Sequence, residues 1–164
     1  MPLDQWSVSV NINTLKSIYY PHFDSIIKYG IMFWGNSSNS AKIFTLQKKI
    51  FRIMAGAQPR TSCRSLLKQL EIITVLCQYI LSFMNFIINN QEIFHTNSSI
   101  HNANTRNKHH LHRPNANLSC LQKTTFYAGT KLFNSLPPSM TILKNDKAQF
   151  KAVLRKYIHT PFTL

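Results

Sequence analysis

With 164 residues, 44% of them hydrophobic, the chain suits one domain of ordinary size or one incomplete piece of a larger protein. Its 19 Lys+Arg against 5 Asp+Glu, a formal +14, point to polyanionic partners, nucleic acid first and an acidic membrane surface second. Only 4 glycines beside 7 prolines argue against a turn-dense β architecture and against a Gly-rich loop that cradles phosphate.

Apolar periodicity gives helices almost throughout. Residues 14–20 read as a short helix, and Pro21, which can open a helix but kinks one in mid-course, starts a second over 21–34. Gly35 to Ser40 form a turn-rich loop. Ser40 is placed to cap a helix over 41–55 that Gly56 ends, with Ile43, Leu46, Ile50 and Met54 inward. Lys42, Lys49 and Arg52 line its opposite side, with Lys48 beside them. After Gln58-Pro59-Arg60, Thr61 or Ser62 caps a helix to residue 70 that buries Leu66, Leu67 and Leu70 and leaves Arg64 and Lys68 wet.

The next helix, over 75–89, is apolar around most of its circumference and reads as the central core helix. Leu76, Ile80, Phe83 and Ile87 take one side; Gln78, Ser82, Asn85 and Asn89 form an uncharged stripe on the other. From 96 to 120 periodicity disappears and Asn, Ser, Thr and His dominate, with Arg106, Lys108 and Arg113 and no acid. A loop of this length is rare in a compact domain without a purpose. A helix over 122–136 turns Phe126, Phe133 and Leu136 inward and is weakened by Gly129, by about 1 kcal/mol. Pro137-Pro138 end it. Asn145 caps the last helix, 146–159, with Phe150, Val153, Leu154, Tyr157 and Ile158 inward and Lys147, Lys151 and Arg155 as a basic rib.

The expected architecture is therefore all-α: about seven helices in an irregular bundle with one long basic loop, an incomplete domain. Residues 1–95 make a helical region, 96–121 a basic His/Asn-rich loop or linker, and 122–164 a C-terminal helical pair.

Few constellations can carry chemistry. No acid lies between Asp24 and Glu71 or between Glu92 and Asp146, so the paired carboxylates of two-metal or general acid–base catalysis are not at hand. Cys63, Cys77 and Cys120 are odd in number and far apart, which argues against a disulfide framework and for a reducing, intracellular setting, cytoplasm or nucleus. The first residues lack the basic start and apolar run of a signal peptide, and no stretch reaches the roughly 18–20 apolar residues of a spanning helix, so no membrane partner is expected. His101, His109, His110 and His112, with Cys120 beyond them, do not fit the two paired ligand spacings of a structural zinc site, so no metal is assigned. The positive signal is cationic: Lys42, Lys48, Lys49 and Arg52 on one helix and Arg106, Lys108 and Arg113 on the loop are the candidate phosphate contacts.

Several short runs in order resemble one family. Tyr29-Gly30-Ile31-Met32-Phe33-Trp34-Gly35, followed by a helix with Leu46-Gln47-Lys48-Lys49 and Ile50-Phe51-Arg52, resembles the region after the polymerase palm in jockey-like non-LTR retrotransposon reverse transcriptases. His101 to Arg106 resembles that family's "NTR" element, and Tyr127-Ala128-Gly129 with Lys131-Leu132-Phe133-Asn134-Ser135-Leu136-Pro137 its "Y-G-x-K-L-[FW]-N-S-L-P" block. Phe150-Lys151, Leu154 and Tyr157-Ile158 match its last helix, and Pro21 departs from a stretch the family keeps as continuous helix.

The resemblance implies a parent RNA-directed DNA polymerase using Mg²⁺, of which this chain is the thumb and the linker beyond it. The "[FY]-x-D-D" motif has no counterpart here, so no catalytic residue carries over and no cofactor is assigned to this chain. The implied partners are RNA and DNA, held through their backbones, and the remainder of the reverse transcriptase. A helical protein-interaction module and a non-functional relic stay open as alternatives.

Overall fold

The computed structural model describes residues 11–101, 106–122 and 124–159. The fold is all-α. Among the described residues the only β pairing is a single antiparallel bridge between Thr96 and Leu111.

The first helix, α1 (Ile12–Tyr19), starts where Asn11 Oδ1 accepts the Asn13 amide at 2.9 Å. Pro21 was expected to separate it from a new helix, and it does not. A π turn over Tyr20–Asp24 carries the chain straight into α2 (Ser25–Lys28). Proline lacks the N–H that would bond four residues back, and its ring crowds that carbonyl. The turn widens just after the proline: the Ser25 amide reaches back five residues to the Tyr20 carbonyl, while Ser25 Oγ donates to the Pro21 carbonyl. The break comes instead at Gly30, whose φ of 62° only glycine adopts readily, so the helix expected to reach Trp34 ends at Lys28 and a short α3 (Ile31–Trp34) follows.

Helix α4 (Ser40–Met54) begins one residue earlier than expected. Ser40 is inside it and caps nothing; its hydroxyl donates to the carbonyls of Ser37 and Gly35 at 2.7 Å each. Gly56 stops it in the left-handed conformation as expected, with φ 59°. Its buried face is rotated from the apolar pattern: Gln47, Phe51 and Met54 are inward, and Leu46 is half exposed. Helix α5 (Cys63–Leu70) is capped by Ser62 and buries Cys63, Leu66 and Leu70, while Leu67 is half-buried.

Helix α6 (Val75–Asn89), capped by Thr74, is the hub and packs on α3 and α4. Farther along the chain come the short α7 (Asn97–His101) and α8 (Ser119–Gln122), then α9 (Thr125–Asn134), α10 (Pro138–Thr141) with a 3-10 turn Ile142–Asn145, and α11 (Lys147–His159). Helices α9 and α11 close on α6 from the C-terminal part of the chain. One cluster of buried residues runs from Ile27 and Ile31 through Phe83, Met84 and Ile87 to Phe133, Phe150 and Leu154. Burying each of these phenylalanines contributes about 1.5–3 kcal/mol.

Other expectations about facing and helix bounds also change. Leu76, placed inward by the pattern, is 45% exposed, and Tyr157 is 40% exposed. Gln78, expected on a polar outer stripe, is buried with its amide donating to Asp24 Oδ1 at 2.9 Å. Helix α9 starts at Thr125 behind its cap Thr124 rather than at 122, and Pro138 opens α10 instead of merely ending a helix. Asp146, not Asn145, caps α11: its carboxylate accepts the amides of Ala148 and Gln149 at 3.1 and 3.0 Å.

Candidate nucleic-acid interface

The four cations of α4 divide into two kinds. Lys42 and Lys49 are exposed and seven residues apart, so they stand two turns, about 10 Å, along one outward face. Lys48 is half-buried at the flank with its Nζ 4.1 Å from the centroid of the Phe44 ring, a cation–π contact. Arg52 is also half-buried, and its Nε donates to the Thr61 carbonyl at 3.0 Å, tying the turn before α5 to α4. The sequence pattern set Arg52 on the outward face; the bond to Thr61 gives it a structural task as well.

The loop is less free than its composition implies. Its stem is stapled by His112 N to His95 O at 2.8 Å and Asn97 N to His110 O at 2.9 Å, and α7 forms inside it. Leu111 is buried, and the Asn134 side chain grips its backbone twice, donating to Leu111 O and accepting from Leu111 N, both at 2.9 Å. A side-chain amide has one donor and one acceptor side, so it can imitate a neighbouring strand here. Arg106 and Arg113 are exposed and Lys108 half-buried; the Arg113 guanidinium lies 5.2 Å from the Tyr127 ring centroid. Residues 102–105, most of the "NTR"-like element, lie outside the described residues.

Among the described residues no hydrogen bond, ion pair or ring contact joins the α4 cations to those of the loop. Lys28 pairs with Asp24 at 2.5 Å. Lys42, Lys49, Arg106 and Arg113 have no carboxylate within ion-pair distance among the described residues. Their charge is not neutralised by an acid among the described residues.

Two of the family-like runs meet in the structure, at Phe133 and Phe150. A Cβ on Gly129 would stand 2.9 Å from Phe83 Cδ1, so glycine is what lets α9 lie this close to α6. Phe133 stacks on Phe150 with centroids 6.3 Å apart, beside the Asn134 grip on Leu111. Gln47 is wholly buried: its Nε2 donates to Tyr19 Oη at 2.8 Å and to Ile73 O at 3.1 Å, and its Oε1 accepts the Val75 amide at 3.0 Å. Burial pushes Tyr19 up to about 12. Burial also raises the Cys77 thiol, which keeps it protonated and poorly nucleophilic.

Among the described residues no three His, Cys, Asp or Glu side chains are grouped to hold a metal ion; His101 and His112 approach each other edge to face at 5.1 Å. No single described helix is long and apolar enough to cross a membrane, and the one pair that passes together, α5 with α6, is bent by 53°.

One site escaped the sequence reading. A cleft of about 730 Å³ opens between α4, α5 and the start of α6, with Lys48, Arg64 and Lys68 among its lining residues and Leu67, Ile72 and Leu76 on its walls. The i, i+4 pair Arg64 and Lys68 was visible as a wet face, but its meeting with Lys48 depends on how α5 packs on α4.

Comparison with protein-family models, curated proteins and solved structures finds no match to this chain.

Proposed function

We propose that the chain is the non-catalytic thumb and linker portion of a reverse transcriptase of the jockey-like non-LTR class, and that it holds a template–primer duplex through its backbone. The observation that carries the reading is the unneutralised cation set. Lys42 and Lys49 project from a rigid helix and Arg106 and Arg113 from a stapled loop, with no paired acid among the described residues. Cations fixed on ordered elements suit phosphate contacts, which position a duplex without reading its sequence. Packing of Phe133 on Phe150, which joins two of the family-like runs, supports the same reading. So does the continuation of the first helix through Pro21.

The test is a salt titration of binding to an RNA–DNA hybrid by fluorescence anisotropy. Replacing Lys42 and Lys49 with Ala removes two phosphate contacts and should flatten the log–log salt slope by about 2. An unchanged slope would refute the assignment of these two lysines.

A second reading, a module that packs on another protein, is favoured by one patch. Ile26, Tyr29 and Phe33 are 71%, 86% and 78% exposed close together in sequence, an apolar surface of the kind that marks contact sites. In the first reading this patch meets the remainder of the polymerase. Salt-insensitive capture of a protein partner, lost on Phe33→Ser while duplex binding persists, would separate the two.

A further inference from the structure

We infer that the cleft between α4, α5 and α6 is a binding site for an amphiphile with a hydrocarbon body and a single anionic head group. Its volume of about 730 Å³ lies within the range of pockets that enclose small molecules. Three cations, Lys48, Arg64 and Lys68, line it against one acid, Glu71, and none of the four is in an ion pair among the described residues. The charge complement is therefore an anion.

The walls decide what the rest of the ligand must be. Leu67, Ile72, Leu76 and the Phe44 ring present hydrocarbon, and Leu76 stands 45% exposed on a helix that otherwise buries most of its surface. The polar groups of the wall already have work: Ser62 and Thr74 accept the first amides of α5 and α6, and the Ile73 carbonyl accepts from Gln47. An alkyl chain against these walls has no polar edge of its own to leave unmatched. Lys48 spans both halves, since its ammonium lies over the Phe44 ring while the residue lines the cleft. Neither Lys42 nor Lys49, the α4 lysines proposed to meet a duplex, lines this cleft.

The experiment is isothermal titration calorimetry of the full chain with decanoate below its micellar range, with decylammonium and decanol as matched chains of opposite and no charge. The expected result is one-to-one binding of decanoate, at least tenfold tighter than either control. Replacing both Arg64 and Lys68 with Ala should weaken it about tenfold, a modest factor because both side chains are exposed. Leu76→Gln should weaken it severalfold while leaving the melting temperature in place, because the site is already half open. Equal affinity for all three chains, or indifference to both variants, would overturn the inference. So would binding only to phosphatidylserine vesicles and never to the monomer, which would make the cations a surface patch. Loss of duplex binding in the Arg64/Lys68 variant without decanoate binding in the parent would assign them to phosphate instead.

Discussion

Replacing Gln47 with Leu is the sharpest test of how this fold is held together. The substitution keeps the size of a fully buried side chain and removes only its hydrogen bonds. Three groups then lose a partner: the Tyr19 hydroxyl, the Ile73 carbonyl and the Val75 amide. The Val75 amide is one of the first N–H groups of α6, which have no partner inside the helix, and it is buried. Leaving a buried polar group unsatisfied costs about 1–3 kcal/mol, and Ile73 is only half-buried, so a total near 4 kcal/mol is expected. That is a large share of the roughly 5–15 kcal/mol that holds an ordinary domain.

Urea denaturation followed by circular dichroism measures it: with a slope of about 2 kcal/mol/M, the midpoint should fall by about 2 M. Tyr19→Phe alone should cost about 1 kcal/mol, since the Gln47 amide keeps Ile73. Together the two should cost less than their sum, because the second change removes the hydroxyl that the first had stranded. A Gln47→Leu loss under about 1 kcal/mol, or strict additivity, would refute the account of Gln47 as the tie between α1, α4 and the start of α6.

Two further outcomes follow from single residues. Gly129→Ala should destabilise the fold, because a methyl 2.9 Å from the fully buried Phe83 ring costs about 1–3 kcal/mol while the gain in helix propensity is about 1; a higher melting temperature would refute the close-packing argument. Tyr19 has its pKa raised from 10.0 to about 12, so its contribution to stability is fully present below pH 10 and is lost as pH rises towards 12. The stability curve of Tyr19→Phe should be flatter than that of the parent across that interval, and parallel curves would show that Tyr19 does not titrate with folding.

Periodicity and capping chemistry made much of the helical framework legible. α6 spans Val75–Asn89 as its apolar run predicts, and α4 stops at Gly56. Phase was harder to read than period. In α4 the burial of polar Gln47 and of Phe51 turns the helix so that Leu46 faces out, which an apolar-only pattern cannot foresee. The amide can be buried because Tyr19, Ile73 and Val75, distant in sequence, converge on it. Pro21 was misjudged because a π turn is a third option beside opening and kinking.

The candidate site was legible as an inventory of cations and not as a surface. Sequence placed Lys42 and Lys49 outward correctly, but Lys48 and Arg52 each found a tertiary neighbour, the Phe44 ring and the Thr61 carbonyl. The loop looked featureless because what orders it is backbone pairing at its stem and the grip of Asn134 from twenty-three residues away. Neither leaves a periodic trace.

The shared core around α6 has a consequence for how the protein is made. Ile27 and Ile31 precede α6 in the chain, yet the cluster that buries them also contains Phe150, Leu154 and Ile158. Until the last of these has been added, the apolar circumference of α6 has an open side, and a nascent chain stalled before Lys147 would present it to chaperones or to other chains. Vectorial synthesis thus offers this fold no resting point at its hub: α6 is translated well before the helix that roofs it.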